Sequence, residues 1–401
     1  MPKEYSPFTP GQPVPVEFFV GRVGEIGRLR TAIAESALGR LRVAFLSGER
    51  GIGKSSLASF VRYLGERDEQ VLGLHTFLGG VVTLEEMVRR VFDRLLNESL
   101  GKTWHDKVKE FFGNHIRQVG LFGISVEFGP SERDLNRMVN DFAPALRKLL
   151  ERLKDDTRGI FLVLDDLNGL ATQEAFANWL KSLVDEISTS RHSLPLCLVL
   201  VGLEDRRQSL IERQPSLARV FDLVDIRPWN DVETRGFFQT AFTKVGMEVE
   251  DSALDFLTQY AGGLPVLAHE IGDAVFRIDE DSRIDRDDAA RGVVAAAEIV
   301  GRKHLEPRVF QLIRSARYRA ILRKVASHLG MNFKRSDLRR RLSGEEAKVL
   351  DNFLTRMKDL GVLRADPEHG PGAYRFDNQL HNLYFEMEAS ELISNRLSSK
   401  R

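Results

Sequence analysis

Only one cysteine, Cys197, occurs in 401 residues. A lone thiol cannot close an internal disulfide, so a disulfide-stapled scaffold is excluded and a reducing compartment is expected. Long apolar runs are missing too. The longest, Leu194–Leu203, has ten residues with a proline among them, roughly half the ~20 that a bilayer-spanning helix needs. The opening stretch, "MPKEYSPFTPGQPVP", lacks the apolar core of a secretory signal. The expected location is therefore the cytoplasm, away from any membrane. Net charge is absent overall, with 58 Lys and Arg against 58 Asp and Glu, but it is unevenly spread. Residues 301–401 hold 21 basic and 12 acidic side chains. A basic C-terminal segment on an acidic body points to an anionic partner for that segment.

What the chain does have is alternation. Short apolar runs, "RVAFL" (42–46), "VLGLHTFL" (71–78), "IFLVLD" (160–165), "LCLVLVG" (196–202) and "DLVDI" (222–226), are separated by amphipathic helical stretches. Strands apolar on both faces and joined by helices make a parallel sheet covered on each side, a three-layer α/β domain. From 227 to 302 the strand runs stop and helical periodicity takes over. From 303 onward three helical segments lead into "GVLRADPEHGPGAYRF", whose two short strand-like runs flank a turn. That order, three helices and a hairpin, is the order of a winged helix. The reading divides the chain into an α/β domain at 1–226 with an insertion around 101–134, a helical lid at 227–302 and a winged helix at 303–401.

The sharpest signal lies just after the first strand. "GERGIGKS" fits G-x-x-x-x-G-K-[ST] at Gly48, Gly53, Lys54 and Ser55, with a strand before it and a helix after it. Glycines let successive backbone N–H groups converge on phosphate oxygens, and the helix adds its positive N-terminal end. Lys54 would neutralise charge on the β- and γ-phosphates, and the Ser55 hydroxyl would coordinate Mg²⁺. Gly48, Glu49, Arg50, Gly51, Ile52, Gly53, Lys54, Ser55 and Ser56 form the expected phosphate cradle. In "GIFLVLDDLNGL", Asp165 ends an apolar strand and Asp166 follows it. The first would hold Mg²⁺ and the second would polarise the attacking water. The strand "VLGLHTFL", between loop and acids in the sequence, places the fold in the subclass with an inserted central strand.

Upstream, "FFVGRVGEIGRL" (18–29) resembles the nucleotide box of AAA+ ATPases of the origin-recognition type and of the STAND class. In those families the segment lies against the adenine, which implies that role for Val20, Gly21 and Arg22. "AGGLPVLAHEIGDAVF" (261–276) resembles the G-x-P motif of STAND proteins, which puts Pro265 near the base. Proline at a first helical turn is physically sensible, since its missing N–H would be unbonded there anyway. No arginine stands at the second-sensor place before Arg277, and His269 is closer. At the first-sensor place stand Glu204 and Asp205. Arg219, before the last strand, resembles the arginine finger that a neighbouring AAA+ subunit contributes, and an ordinary surface ion pair is the alternative. Many ATPases of this class carry Glu where Asp166 stands, one methylene longer, which implies slow hydrolysis here or a neighbour that completes the site.

The resemblance implies an ATP-binding, Mg²⁺-dependent ATPase, with ATP between the α/β domain and the lid and nucleotide state acting as a switch. Three uses stay open: a slow switch, an oligomeric ATPase loaded on DNA, and a nucleotide-stabilised scaffold without turnover. In the winged helix, Val349, Leu350, Phe353, Leu354 and Met357 fit an inward face and leave Lys348, Asn352 and Arg356 outside. Double-stranded DNA and a protein partner both suit that basic segment. Acids on the same helix oppose phosphate contact. Within the insertion, "VGLFGISVEF" alternates like a hairpin and reads as an exposed apolar element.

Overall fold

Five short strands, all but the last of them largely apolar on both faces, build the centre of the chain. β1 (Arg42–Gly48), β2 (Val71–Phe77), β3 (Gly159–Asp165), β4 (Leu196–Val201) and β5 (Asp222–Ile226) form one parallel sheet in the order β2-β3-β4-β1-β5. β2, β3 and β4 are buried along nearly their whole length, as strands covered on both faces must be. The computed structural model describes residues 5–119, 125–310, 315–329 and 331–398.

The sheet order corrects one expectation. The strand lying between the phosphate-loop strand β1 and the acidic strand β3 is β4, not Val71–Phe77, which forms the edge. An inserted strand is present, but it is the one carrying Cys197. That thiol is fully buried, and burial pushes its pKa up to about 12.

Helices α1 (Val23–Ala37), α2 (Lys54–Asp68) and α3 (Leu84–Ser99) pack against this sheet. Part of the insertion packs inward. Strands Ile116–Val119 and Ser125–Phe128 do pair antiparallel, as the alternation predicts, while the expected turn at 120–124 lies outside the described residues. At the base, Phe112 and Phe128 are buried, each with its ring centroid 5.6 Å from that of Phe92. This part of the insertion belongs to the main core.

The chain divides into two compact units, 13–227 and a second comprising 228 onward together with the first twelve residues. In the second unit lie α4 (Asp231–Lys244), α5 (Asp251–Ala261), α6 (Pro265–Ile278) and α7 (Arg286–Val300). Capping boxes start α4 at Asn230–Glu233 and α7 at Asp285–Asp288, each satisfying N–H groups that a helix start leaves free. The N-terminal arm inserts Phe8 among Phe237, Phe238 and Phe242. α7 is followed by a π-helical segment, Gly301–Phe310.

The remainder of this unit has the order α8 (Ala316–Leu329), β6 (Asn332–Lys334), α9 (Arg335–Arg341), a short turn of helix at Gly344–Ala347, α10 (Leu350–Asp359), β7 (Leu363–Ala365), β8 (Ala373–Phe376) and α11 (Gln379–Ser398). The three strands pair antiparallel in the order β6-β8-β7. Leu350, Phe353, Leu354 and Met357 of α10 are buried, and Lys348, Asn352 and Arg356 are exposed.

Candidate functional site

β1 and β5 run side by side and end together, and the backbone at Gly48 has no room for a side chain. Its φ is +152°, and a Cβ there would sit 2.8 Å from the Ile226 carbonyl oxygen. The loop continues through exposed Glu49 and Arg50 and buried Ile52 to Gly53, whose left-handed backbone (φ +94°) precedes α2. No side chain caps α2, so the first-turn N–H groups of Lys54, Ser55 and Ser56 have no intrahelical acceptor. The Lys54 ammonium donates to the carbonyls of Gly48 (2.9 Å) and Glu49 (2.7 Å). Burial lowers its pKa, and the charge of Asp165 opposes that shift most.

Arg22 braces the loop from below. Its backbone is left-handed (φ +62°) and only 5% of it is exposed. One guanidinium nitrogen donates to the Ile52 carbonyl (3.2 Å) and another to that of Arg227. Phe19 stacks on Phe60 of α2 at 4.5 Å, and Val20 and Gly21 are half-buried between them and Arg22 in the chain. The Ser56 hydroxyl accepts the Val14 N–H (3.2 Å), which fastens residues before the box to the helix. Ser55 is half-buried, one residue into that helix.

β3 delivers the acids. Asp165 is 3% exposed and its carbonyl accepts the Leu78 N–H at 2.7 Å. Its Oδ2 lies 2.8 Å from His75 Nε2, and the other ring nitrogen of His75 lies 3.0 Å from Ser59 Oγ. Asp166 is half-buried, takes a left-handed backbone (φ +59°) and accepts from the Asn168 amide. The structure thus brings Lys54 and the two acids into one electrostatic neighbourhood. Neither His75 nor Ser59 stood out in the sequence; the one hint was a histidine inside a mostly apolar strand.

The remaining positions fall around this core. At the exit of β4, Glu204 accepts from Ser47 Oγ (3.1 Å) and from Arg207 (3.0 Å). The bond from Arg207 holds its carboxyl below the usual range. Arg219 is exposed at the end of the turn Pro215–Arg219 and makes no ion pair among the described residues. Pro265 is the first residue of α6 in the second unit, after Gly262 and Gly263 in left-handed conformation. Near it, His269 is buried under the N-terminal arm, its Nδ1 accepting the Thr9 N–H (3.1 Å), and Arg277 pairs with Asp273 (2.8 Å).

Residues 19–199, from the nucleotide box through β4, match the family of the AAA ATPase domain. Over that stretch, a little under half of its length, the chain is similar to AAA ATPases. No curated protein matches it significantly. Among solved structures, a Walker-type ATPase of Pyrococcus abyssi is 18% identical, with 92% of this chain and 96% of that one covered at a TM-score of 0.54. The ORC2 protein of Aeropyrum pernix, solved in ADPNP and ADP complexes, is 15% identical, with coverages of 99% and 97% and a TM-score of 0.58. At these identities the likeness shows the fold, the P-loop α/β fold of the AAA domain.

The donor set around the loop suits a hard cation. Mg²⁺ is commonly bound through one or two carboxylates, with waters and substrate phosphates completing its octahedron. Among the described residues no cluster of three or more His, Cys, Asp or Glu forms a ready-made metal cage. A hydroxyl at Ser55 and a carboxylate at Asp165 fit the shared, phosphate-dependent type of site. No helix among the described residues is long and apolar enough to cross a membrane.

Proposed function

We propose that this protein is a Mg²⁺-dependent ATPase working as a nucleotide-controlled switch, with a basic C-terminal segment that engages DNA or a protein partner. One observation carries the reading: a glycine-built loop, Gly48–Gly53, leads into the free start of α2, with Lys54 bonded to the loop carbonyls and within the field of Asp165. In the proposed roles, loop amides and Lys54 hold the triphosphate, and Val20, Gly21 and Arg22 lie against the base. Ser55 and Asp165 hold Mg²⁺, which supplies charge neutralisation at the phosphates when bound. Asp166 orients the attacking water from a carboxylate already held by Asn168.

Calorimetry of ATP with Mg²⁺ on the wild-type chain, followed by phosphate release, tests the reading. Saturable heat with slow release is the expected result. No heat with any purine triphosphate overturns it, and binding without release leaves the scaffold reading.

The C-terminal order of helices and strands supports a winged helix, but its charges are partly spoken for. Arg335 makes a bidentate pair with Asp351 (2.7 and 2.9 Å), and Lys348 pairs with Glu345. Arg339, Arg341 and Arg356 are exposed. Duplex binding that falls steeply with salt marks phosphate contact; binding indifferent to salt marks a protein partner.

A further inference from the structure

His75 sits where an apolar side chain would satisfy the sheet. Its neighbours in β2 are Leu74 and Thr76, it pairs in register with Val163, and it is 2% exposed. Both ring nitrogens are nevertheless placed against partners: Nε2 against Asp165 Oδ2 at 2.8 Å, Nδ1 against Ser59 Oγ at 3.0 Å. The ring of Phe77 stacks on the imidazole at 4.5 Å and 21°, which fixes the ring plane. Ser59 belongs to α2, the helix that Lys54 and Ser55 begin. A chain of three buried or half-buried polar groups therefore ties the phosphate-loop helix through the edge strand to the acidic strand. Asp165 Oδ1 takes no hydrogen bond among the described residues.

We propose that His75 is a positioning residue for magnesium: by clamping Oδ2 it fixes the Asp165 carboxylate so that Oδ1 faces the nucleotide-bound ion, and through Ser59 it locks that carboxylate to the helix bearing Ser55. The proposal rests on the ATPase reading above. A carboxylate held at one oxygen keeps its second in place without reorganisation when the ion arrives, whereas a free carboxylate must give up rotational freedom on binding. Nothing but the hydrogen-bond geometry is required; the ring need not change its protonation.

The test is calorimetry on the full chain with ATP, once with Mg²⁺ and once with EDTA. Loss of such an outer-shell partner costs about 10–100-fold in metal affinity, so H75F should weaken Mg·ATP binding by that factor and leave Mg-free ATP binding unchanged. H75Q, whose amide nitrogen reaches the place of Nε2, should restore most of the loss. S59A, which leaves the ring in place but unheld, should weaken Mg·ATP alone. A merely structural role would lower both affinities together or neither, and either result overturns the proposal. If H75F does not fold, S59A and H75Q decide: wild-type magnesium dependence in S59A sinks the idea. A wild-type chain that binds no nucleotide at all removes the ATPase reading first, and this inference with it.

Discussion

At Lys54 two demands meet. The side chain is partly withdrawn from water, which disfavours its charge, yet it stays within the field of Asp165 and is satisfied by two loop carbonyls. A hydrogen bond to a charged group is worth about 1.5–3 kcal/mol, so K54A should weaken Mg·ATP binding by about 10–100-fold. Calorimetry reads this directly. Melting without nucleotide should change little, because the Glu49 carbonyl that Lys54 releases is exposed and that of Gly48 is only part-buried. His269 yields a prediction with a definite sign. Burial drives its pKa down from an ordinary 6.5 to about 4, so the unfolded chain binds the extra proton first. Its contribution is whole above pH 6.5 and is lost as pH falls toward 4, about 3 kcal/mol in all. Urea midpoints taken from pH 7 to pH 4 should fall more for the wild type than for H269Q, since the carboxylates common to both cancel. Gly48, Lys54 and Asp165 were legible because fixed spacing within a short window defines them. His75, Ser59 and the bracing by Arg22 were not, because each depends on partners 16 to 205 positions away.

Elements were more legible than their arrangement. Four of the five central strands announced themselves as apolar runs, since a strand covered on both faces has no polar side to show, and the edge strand β5 showed through Leu223, Val224 and Ile226 between its acids. Their neighbours in space did not: β4 enters between β1 and β3 through pairings that no local pattern encodes. β6 escaped notice because three residues, "NFK", carry no periodicity. The arm at 5–12 reads as a proline-flanked extension, yet Phe8 is a core residue of the helical unit. The turn between α5 and α6 shows how an element boundary can be dictated by a neighbour. Gly263 has φ +74°, and a Cβ there would lie 2.2 Å from the Trp229 carbonyl oxygen, while its own carbonyl accepts the Trp229 N–H at 2.9 Å. G263A therefore combines left-handed strain with a backbone clash and should cost at least about 2 kcal/mol. Denaturant melts of the variant would show it, and an unchanged midpoint would refute the packing argument.

For the molecule as a whole, the proposed ATPase reading turns on whether one chain completes the site by itself. Arg207, three residues from Glu204, is consumed by that carboxylate, and Arg22 and Arg227 serve the loop and the exit of β5. Arg219 is different: exposed, on a short turn between helix and strand, with no ion pair among the described residues. A cation left in water gains nothing for folding, which fits a group reserved for the phosphates of a second copy. Under that reading R219A binds Mg·ATP with wild-type affinity but releases phosphate about 10³-fold more slowly, the lower bound of what an arginine finger contributes. The wild-type rate per chain should rise with protein concentration, and a mixture of R219A with K54A should recover activity, each copy supplying what the other lacks. A rate per chain independent of concentration, together with an R219A rate equal to the wild type, would make the site self-sufficient and leave Arg219 a solvated surface charge.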